Sequence, residues 1–551
     1  MVLILYERES LAKDNIQIIK NYHQETKHHH YKSANALGYM DWKNQPDPFR
    51  RFTGADLISL PLQKQDNTWP YEDIFISQRI KPHPLNQETI AKFLEYSLAI
   101  AAWKQFGDVK WALRINPSSG NLHPTEGYLI LPDIEGIHKL PGVYHYAPKE
   151  HGLEKRAELS KELWSYLPKD IFLVGLTSIY WREVWKYGER AFRYCQHDCG
   201  HAYMALNVAA RILGWRVDLL PKIGDDKIAQ LFGLNQDKGF YEFEEERPEL
   251  LAVVNLNPEN TKTMLDIPDD FINGVNLSDW HGEPNQLSND HHQWDIIDEA
   301  HQALVKPETQ QEIFTVAPKI FDPMKYEREF SAYQVIKKRR SAVDMDGETS
   351  ITKEHFFQML LRVCSSFQGV PWSPAVHLCL FVHRVKGIPQ GLYMLIREES
   401  VFEVIKGCMH QDFLWKKPSE CPEGLMFYCL KEGDFRDISK SVSCGQDIAA
   451  DGAFSLGMIA QFNDSLNNNG AWFYKRLFWE TGMIGHLLYL EAEAIGISAT
   501  GIGCFFDDSV HEILGFSDTK FQSLYHFTIG GAVVDNRLTT LPAYERGFSF
   551  T

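Results

Sequence analysis

The sequence predicts a duplicated chain, two copies of one domain of mixed helices and strands joined by a connection near its middle. Three observations carry this. The segment from Arg190 to Gly214 has apolar residues at three- and four-residue spacing and a terminal glycine, which reads as a long buried helix with a glycine cap. The same pattern returns 282 residues later, from Trp472 to Gly496, so that Gly200 matches Gly482, Leu206 matches Leu488, Ala210 matches Ala492 and Gly214 matches Gly496. Finally, two polar fragments, Asn116 to Pro124 and Lys338 to Ala342, look complementary, and neither half carries both.

The elements follow one order in each half. Residues 1–65 have no counterpart in the second half and read as an extension with a helix near Leu11 to Gln24. In the first domain, 66–256, Ile76-Ser77-Gln78-Arg79 precedes a helix from Asn86 to Ala101. A strand from Tyr128 then leads to Pro141-Gly142-Val143-Tyr144 and the long helix. In the second, 326–551, Ile336-Lys337-Lys338-Arg339 precedes a helix from Thr352 to Cys364. A strand from Leu378 leads to Pro389-Gln390-Gly391-Leu392-Tyr393 and the second long helix. Between them, 257–325 is rich in Asn, Asp, Pro and His and suits an exposed linker with one short helix around Trp294 to Leu304.

A length of 551 residues suits about two to four domains. A formal charge of −17 argues against a nucleic-acid partner, since phosphate-backbone binding relies on a basic surface. Nine cysteines spread thinly favour reduced thiols and a cytoplasmic location. No apolar run approaches the roughly 18 residues of a membrane span, and the N-terminal Met-Val-Leu-Ile-Leu-Tyr is cut short by Glu7, Arg8 and Glu9. The expectation is therefore no signal segment and no membrane partner.

Asn116-Pro117-Ser118-Ser119-Gly120-Asn121-Leu122-His123-Pro124, Arg190 to Tyr194 entering the Gly200 helix, and the Gly482 helix leading to Gly501-Ile502-Gly503-Cys504 resemble the nitroreductase superfamily of flavin enzymes. Within it they resemble the SagB-type dehydrogenases, which oxidise azoline rings in peptides, here in a tandem duplicated form. The resemblance implies an α+β fold, two nitroreductase-like α/β sandwich domains forming an intrachain pseudo-dimer. A tandem copy would replace the second subunit of the usual homodimer, leaving a monomer with FMN between the halves. Carried over by position, Arg339, Arg340 and Ser341 grip the phosphate and pyrimidine edge, while Pro117, Ser118, Ser119 and Asn121 come from the other half. The Gly501–Gly503 turn is expected to offer backbone N–H groups to the flavin ring, Arg537 a second phosphate contact, and Tyr194, beside Arg193, a catalytic proton at a lowered pKa. Physical chemistry favours the same division of labour, because a phosphate dianion suits paired guanidiniums.

The mirror-image site looks broken: Phe367-Gln368-Gly369-Val370-Pro371 replaces the serine turn and Arg79-Ile80-Lys81 the arginine element, so one FMN per chain is expected. Cys195, His197, Cys199 and His201 point to different sides of one helix, so no metal is expected there. The implied activity is FMN-dependent oxidoreduction of a small molecule or peptide, with NAD(P)H as donor or dioxygen as acceptor. The alternative is a non-catalytic flavin-binding or scaffold protein in a peptide-modification complex.

Overall fold

The computed structural model describes residues 2–63, 68–76, 78–236, 241, 243–258, 265–310, 330–365 and 369–544. It contains two antiparallel sheets of related topology. The first runs, edge to edge, Asp56–Ser59, Gly152–Glu158, Gly142–Ala147, Thr125–Leu131, Ile171–Ser178, Arg247–Asn255 and Arg216–Leu219. The second runs Phe427–Glu432, Gly391–Leu395, Val376–Val382, Phe454–Gln461, Phe521–Gly530 and Ser498–Ile502, so six strands correspond in order. The extra edge strand of the first sheet comes from the N-terminal extension.

Between the sheets lie the helices Ala191–Ile212 and Phe473–Ala494, each buried along almost its whole length, charged side chains included. They cross at Gly200 and Gly482, where a Cβ on Gly482 would lie 2.2 Å from the His197 carbonyl oxygen and 2.9 Å from Gly200 Cα. One apolar core runs from the first sheet through both helices to the second, and each sheet has a smaller core on its outer face. The duplicated chain is thus two tandem α/β sandwiches packed as an intrachain pseudo-dimer.

Charge pairs repeat the symmetry. Arg193 on the first long helix meets Asp507 of the second half at 2.7 Å, and Lys475, 282 residues later, meets Asp225 of the first half at 2.9 Å. Each aspartate opens a helix closed by a left-handed glycine, Gly233 or Gly515.

Several elements differ from the sequence expectation. The helix expected over Asn86 to Ala101 stops at Glu95, and the chain enters a strand, Ile100–Phe106, paired with Val109–Arg114 and with the C-terminal strand Thr539–Leu541. Helical spacing is lost at Ile100-Ala101-Ala102-Trp103, where strand pairing prevails. The N-terminal helix spans Val2–Glu25, and its end is integral to the junction: His23 Nδ1 lies 3.2 Å from the Tyr474 hydroxyl, and Thr26 accepts a hydrogen bond from Arg193. The middle segment is not merely exposed. Beside Asp295–Ala303, it folds a helix Asp269–Asn276 whose Phe271, Ile272 and Val275 pack on the outer core of the first sheet.

Candidate functional site

The two halves enclose a cavity of about 780 Å³ lined by the serine turn, the arginine element and the end of strand Ser498–Ile502. Of the residues singled out from the sequence, Pro117, Ser118, Ser119, Asn121, Tyr194, Arg339, Arg340, Ser341, Gly501 and Gly503 all line it.

The serine turn is held from within and from below. Gly120, Asn121 and His123 adopt left-handed backbone angles, and Gly120 has no room for a side chain because a Cβ would stand 2.6 Å from the Tyr187 hydroxyl. Ser118 Oγ accepts from the His123 N–H at 2.8 Å, and Asn121 Nδ2 donates to the Ala112 carbonyl at 2.8 Å. Ser119 donates both its N–H and its hydroxyl to Asp198 at 3.0 Å. Asp198 is buried on the first long helix beside Glu183, and burial pushes its carboxyl up to about 7 despite those hydrogen bonds. At the matching position of the second long helix, Glu480 accepts from the Ala375 and Val376 N–H groups, but it is neutralised by Arg397. Asp198 was missed in the sequence, yet the repeat signals it: a carboxylate recurs at the same helix position in both copies.

The arginine element supplies charge without full satisfaction. Arg339 is only 4% exposed; its Nη2 donates to the Arg114 carbonyl of the other half at 3.1 Å, while Nε and Nη1 have no partner among the described residues. Burial lowers its pKa, and the guanidinium sits 5.0 Å from the centre of the Tyr489 ring. Arg114 Nε and Asn116 Oδ1, on the same cavity wall, are also buried with no partner among the described residues. Arg340 bonds the carbonyls of Lys337 and Arg339, and burial brings it down to about 10. A buried cation with open donors costs several kcal/mol unless an anion completes it, so the wall is built to receive a negative group.

Three expectations are corrected. Gly501 is not in a turn with a free N–H; it pairs with Phe527 inside a strand and donates to the Tyr489 hydroxyl at 3.0 Å, which also meets Ser341 Oγ at 2.8 Å. Its glycine is required by close approach, since a Cβ would fall 1.9 Å from the Tyr525 hydroxyl. Tyr194 is not acidified: burial outweighs Arg190 and Arg193 and raises it to about 12, its hydroxyl donates to the Gly503 carbonyl at 3.1 Å, and Arg193 turns away to Asp507. Arg537 lies outside the cavity lining, exposed and bound to Asp535 at 2.8 Å, because the short Asp535-Asn536-Arg537 turn closes its own ion pair. His197 Nδ1 lies 2.8 Å from the Thr481 hydroxyl and His201 Nε2 3.3 Å from the Tyr525 hydroxyl.

The mirror position is partly filled by the chain itself, leaving a smaller cavity of about 230 Å³ beside Gln78, Ile80, Arg216 and Val217. Gly369 accepts from the Leu219 N–H at 2.8 Å and the Tyr203 hydroxyl at 3.0 Å, and a Cβ on it would meet the Val217 carbonyl oxygen at 2.1 Å. Val217 and Leu219 correspond to Ala499 and Gly501, so backbone lies where the true cavity is open. Arg79 is spent on Asp73. Phe367, Gln368 and Ser77 lie outside the described residues.

Among the described residues, no helix is long and apolar enough to cross a membrane. Residues 410–531 match the Nitroreductase family. A Methanocaldococcus jannaschii protein named as a nitroreductase is 27% identical over 128 residues, 22% of this chain and 64% of that protein. The trifolitoxin-processing protein TfxB of Rhizobium leguminosarum bv. trifolii is 31% identical over 147 residues, 24% of this chain and 39% of that protein. The matched stretches thus span less than two thirds of these relatives. A crystal structure from Anabaena variabilis, titled as a nitroreductase, matches the fold with a TM-score of 0.66 at 18% identity, over 94% of this chain and 99% of the other. Residues 410–531 in the second half are therefore similar to the Nitroreductase family, and the chain as a whole has that fold in tandem.

Proposed function

We propose that the chain is an FMN-dependent oxidoreductase with a single flavin site shared by its two halves. The observation that carries this is buried Arg339, with two open donors on a cavity wall built from both halves. The residues fit the group. The cavity falls within the roughly 300–1,000 Å³ typical of cofactor sites, and its lining combines Arg114, Arg339 and Arg340 with hydroxyls of Ser118, Ser119 and four tyrosines. FMN, when bound, supplies the hydride chemistry.

The chain's own residues bind, orient and manage protons. Arg339 and Arg340 would hold the phosphate and the pyrimidine edge, with Ser118 and Ser119 on the same cavity lining. Tyr489, oriented by the Gly501 N–H, ties the arginine element to the strand. Tyr194 and Tyr525 keep their protons at neutral pH, since burial raises both, and serve as hydrogen-bonding walls rather than bases. Asp198, near 7, is the lining group able to hold or release a proton under working conditions. NAD(P)H serves as donor in the reductive direction and dioxygen as acceptor in the oxidative one. The name of the trifolitoxin-processing relative supports a peptide substrate of the SagB type.

The test is direct. The purified chain should be yellow, hold one FMN, and bleach with NAD(P)H or dithionite. A protein that stays colourless after incubation with FMN overturns the flavoenzyme reading and leaves the scaffold role.

A further inference from the structure

The rim of the cavity carries a feature that the flavin reading does not use. Cys504 follows Gly503, lines the cavity and is exposed, and its Sγ lies 2.7 Å from Sγ of half-buried Cys444. Cys444 sits in the turn between helices Arg436–Val442 and Ile448–Asp451, at a left-handed φ of 56° that a non-glycine residue adopts only at a cost. The two segments are fastened independently of sulfur: the Phe506 N–H donates to the Val442 carbonyl at 2.8 Å, and Gln446 Nε2 donates to the Cys504 carbonyl at 3.0 Å. The backbone thus presents two thiols to each other at a solvent-facing mouth.

We propose that Cys444 and Cys504 form a redox-active dithiol at the mouth of the cavity, which exchanges with small disulfides and closes to an intramolecular disulfide. The thiolate of Cys504 attacks one sulfur of the small disulfide RSSR; that S–S bond breaks, one RSH leaves, and a mixed disulfide remains on Cys504. The Cys444 thiol, giving up its proton, attacks Cys504 Sγ, forms the protein disulfide and expels the second RSH. Two thiols are oxidised and one small disulfide is reduced to two thiols.

The division of roles follows from the surroundings. The hydrogen bond with Cys444 holds Cys504 below the ordinary thiol value, with Arg190 adding to it, whereas Cys444 is pushed up by the same contact and by burial. The nucleophile is therefore the sulfur that lines the cavity, and the resolving thiol lies behind it. A pair on an exposed rim, in a chain whose other cysteines are scattered, is placed for exchange rather than for holding the fold.

The full chain is reduced, treated with oxidised glutathione, quenched by alkylation at timed intervals and mapped by peptide mass spectrometry. Wild type should lose both thiols together and yield a Cys444–Cys504 cross-link reversible by dithiothreitol. C444S should retain a glutathione adduct at Cys504. That adduct should form at least about tenfold faster than adducts at the half-buried Cys408 and Cys421, whose thiols burial holds above the ordinary value. No adduct at Cys504 in C444S, no cross-link in wild type, or a Cys504 rate no greater than at Cys408 and Cys421 would each overturn the proposal. Every readout is thiol chemistry and holds whether or not flavin is bound.

Discussion

Arg339 concentrates the argument at the residue scale, because a charge-assisted hydrogen bond contributes about 1.5–3 kcal/mol. Arg339→Ala is expected to weaken FMN binding about 10- to 100-fold by equilibrium titration, and Ser119→Ala, which removes one neutral hydroxyl, about fivefold. If both left flavin content unchanged, the shared pocket would be wrong. Asp198 gives a pH signature. Its folded-state pKa, about 7, lies above the ordinary 3.8, so the native state holds a proton that the unfolded chain releases. Stability should therefore fall as pH rises from about 4 towards 7, a slope that Asp198→Asn should flatten in thermal melts. Pro117 to Asn121 and Arg339 to Ser341 were singled out by the repeat and the family resemblance, since a serine turn or a basic cluster taken alone reads as an ordinary solvated segment. Tyr489 and Arg114 were not legible, since nothing near them in sequence tells that one will meet Ser341 and the other will lose the partner of its Nε. Arg537 misled for the same reason: its aspartate two residues away competes for it.

Elements succeeded or failed according to how far their causes reach along the chain. The long helices were readable because apolar periodicity and glycine spacing are local, whereas the strand Thr539–Leu541 forms by pairing with Ile100–Phe106 across more than four hundred residues of sequence. Gly482→Ala is the sharpest test of the helix crossing. The atoms its Cβ would meet are backbone, which cannot rotate away, so the variant should lose about 1–3 kcal/mol or more in denaturant unfolding. The strand Gly142–Ala147 carries His145, whose ring nitrogens meet Glu154 at 2.9 Å and Glu126 at 3.1 Å. Burial alone would lower its pKa, but these carboxylates raise it to about 9. The stabilisation is therefore fully present below about pH 6.5 and is lost as pH rises through about 9, a loss that a melt series on His145→Gln should no longer show. Because Glu126 also pairs with Arg182, which donates to the His123 carbonyl, this network steadies the serine turn from beneath.

For the whole molecule, the C-terminal strand returns from the second half to pair with Trp103–Gln105 of the first, and the segment before it lines the cavity. A chain ending at Leu514 would lose a core strand as well; one ending at Val534 keeps both main sheets and should fold yet bind FMN at least tenfold more weakly, read by flavin content after gel filtration. Duplication was legible as a repeat, and the narrowed mirror site only in part, since the peptide that partly fills it is recognised by where Gly369 lands. That filling has a further consequence. In a symmetric homodimer every substitution strikes both sites at once, so a loop cannot be given over to structure without disabling catalysis twice. Here the two loops are separate stretches of one chain, and residues around Gly369 are free to drift toward adhesion between the halves while those around Gly120 stay committed to a ligand.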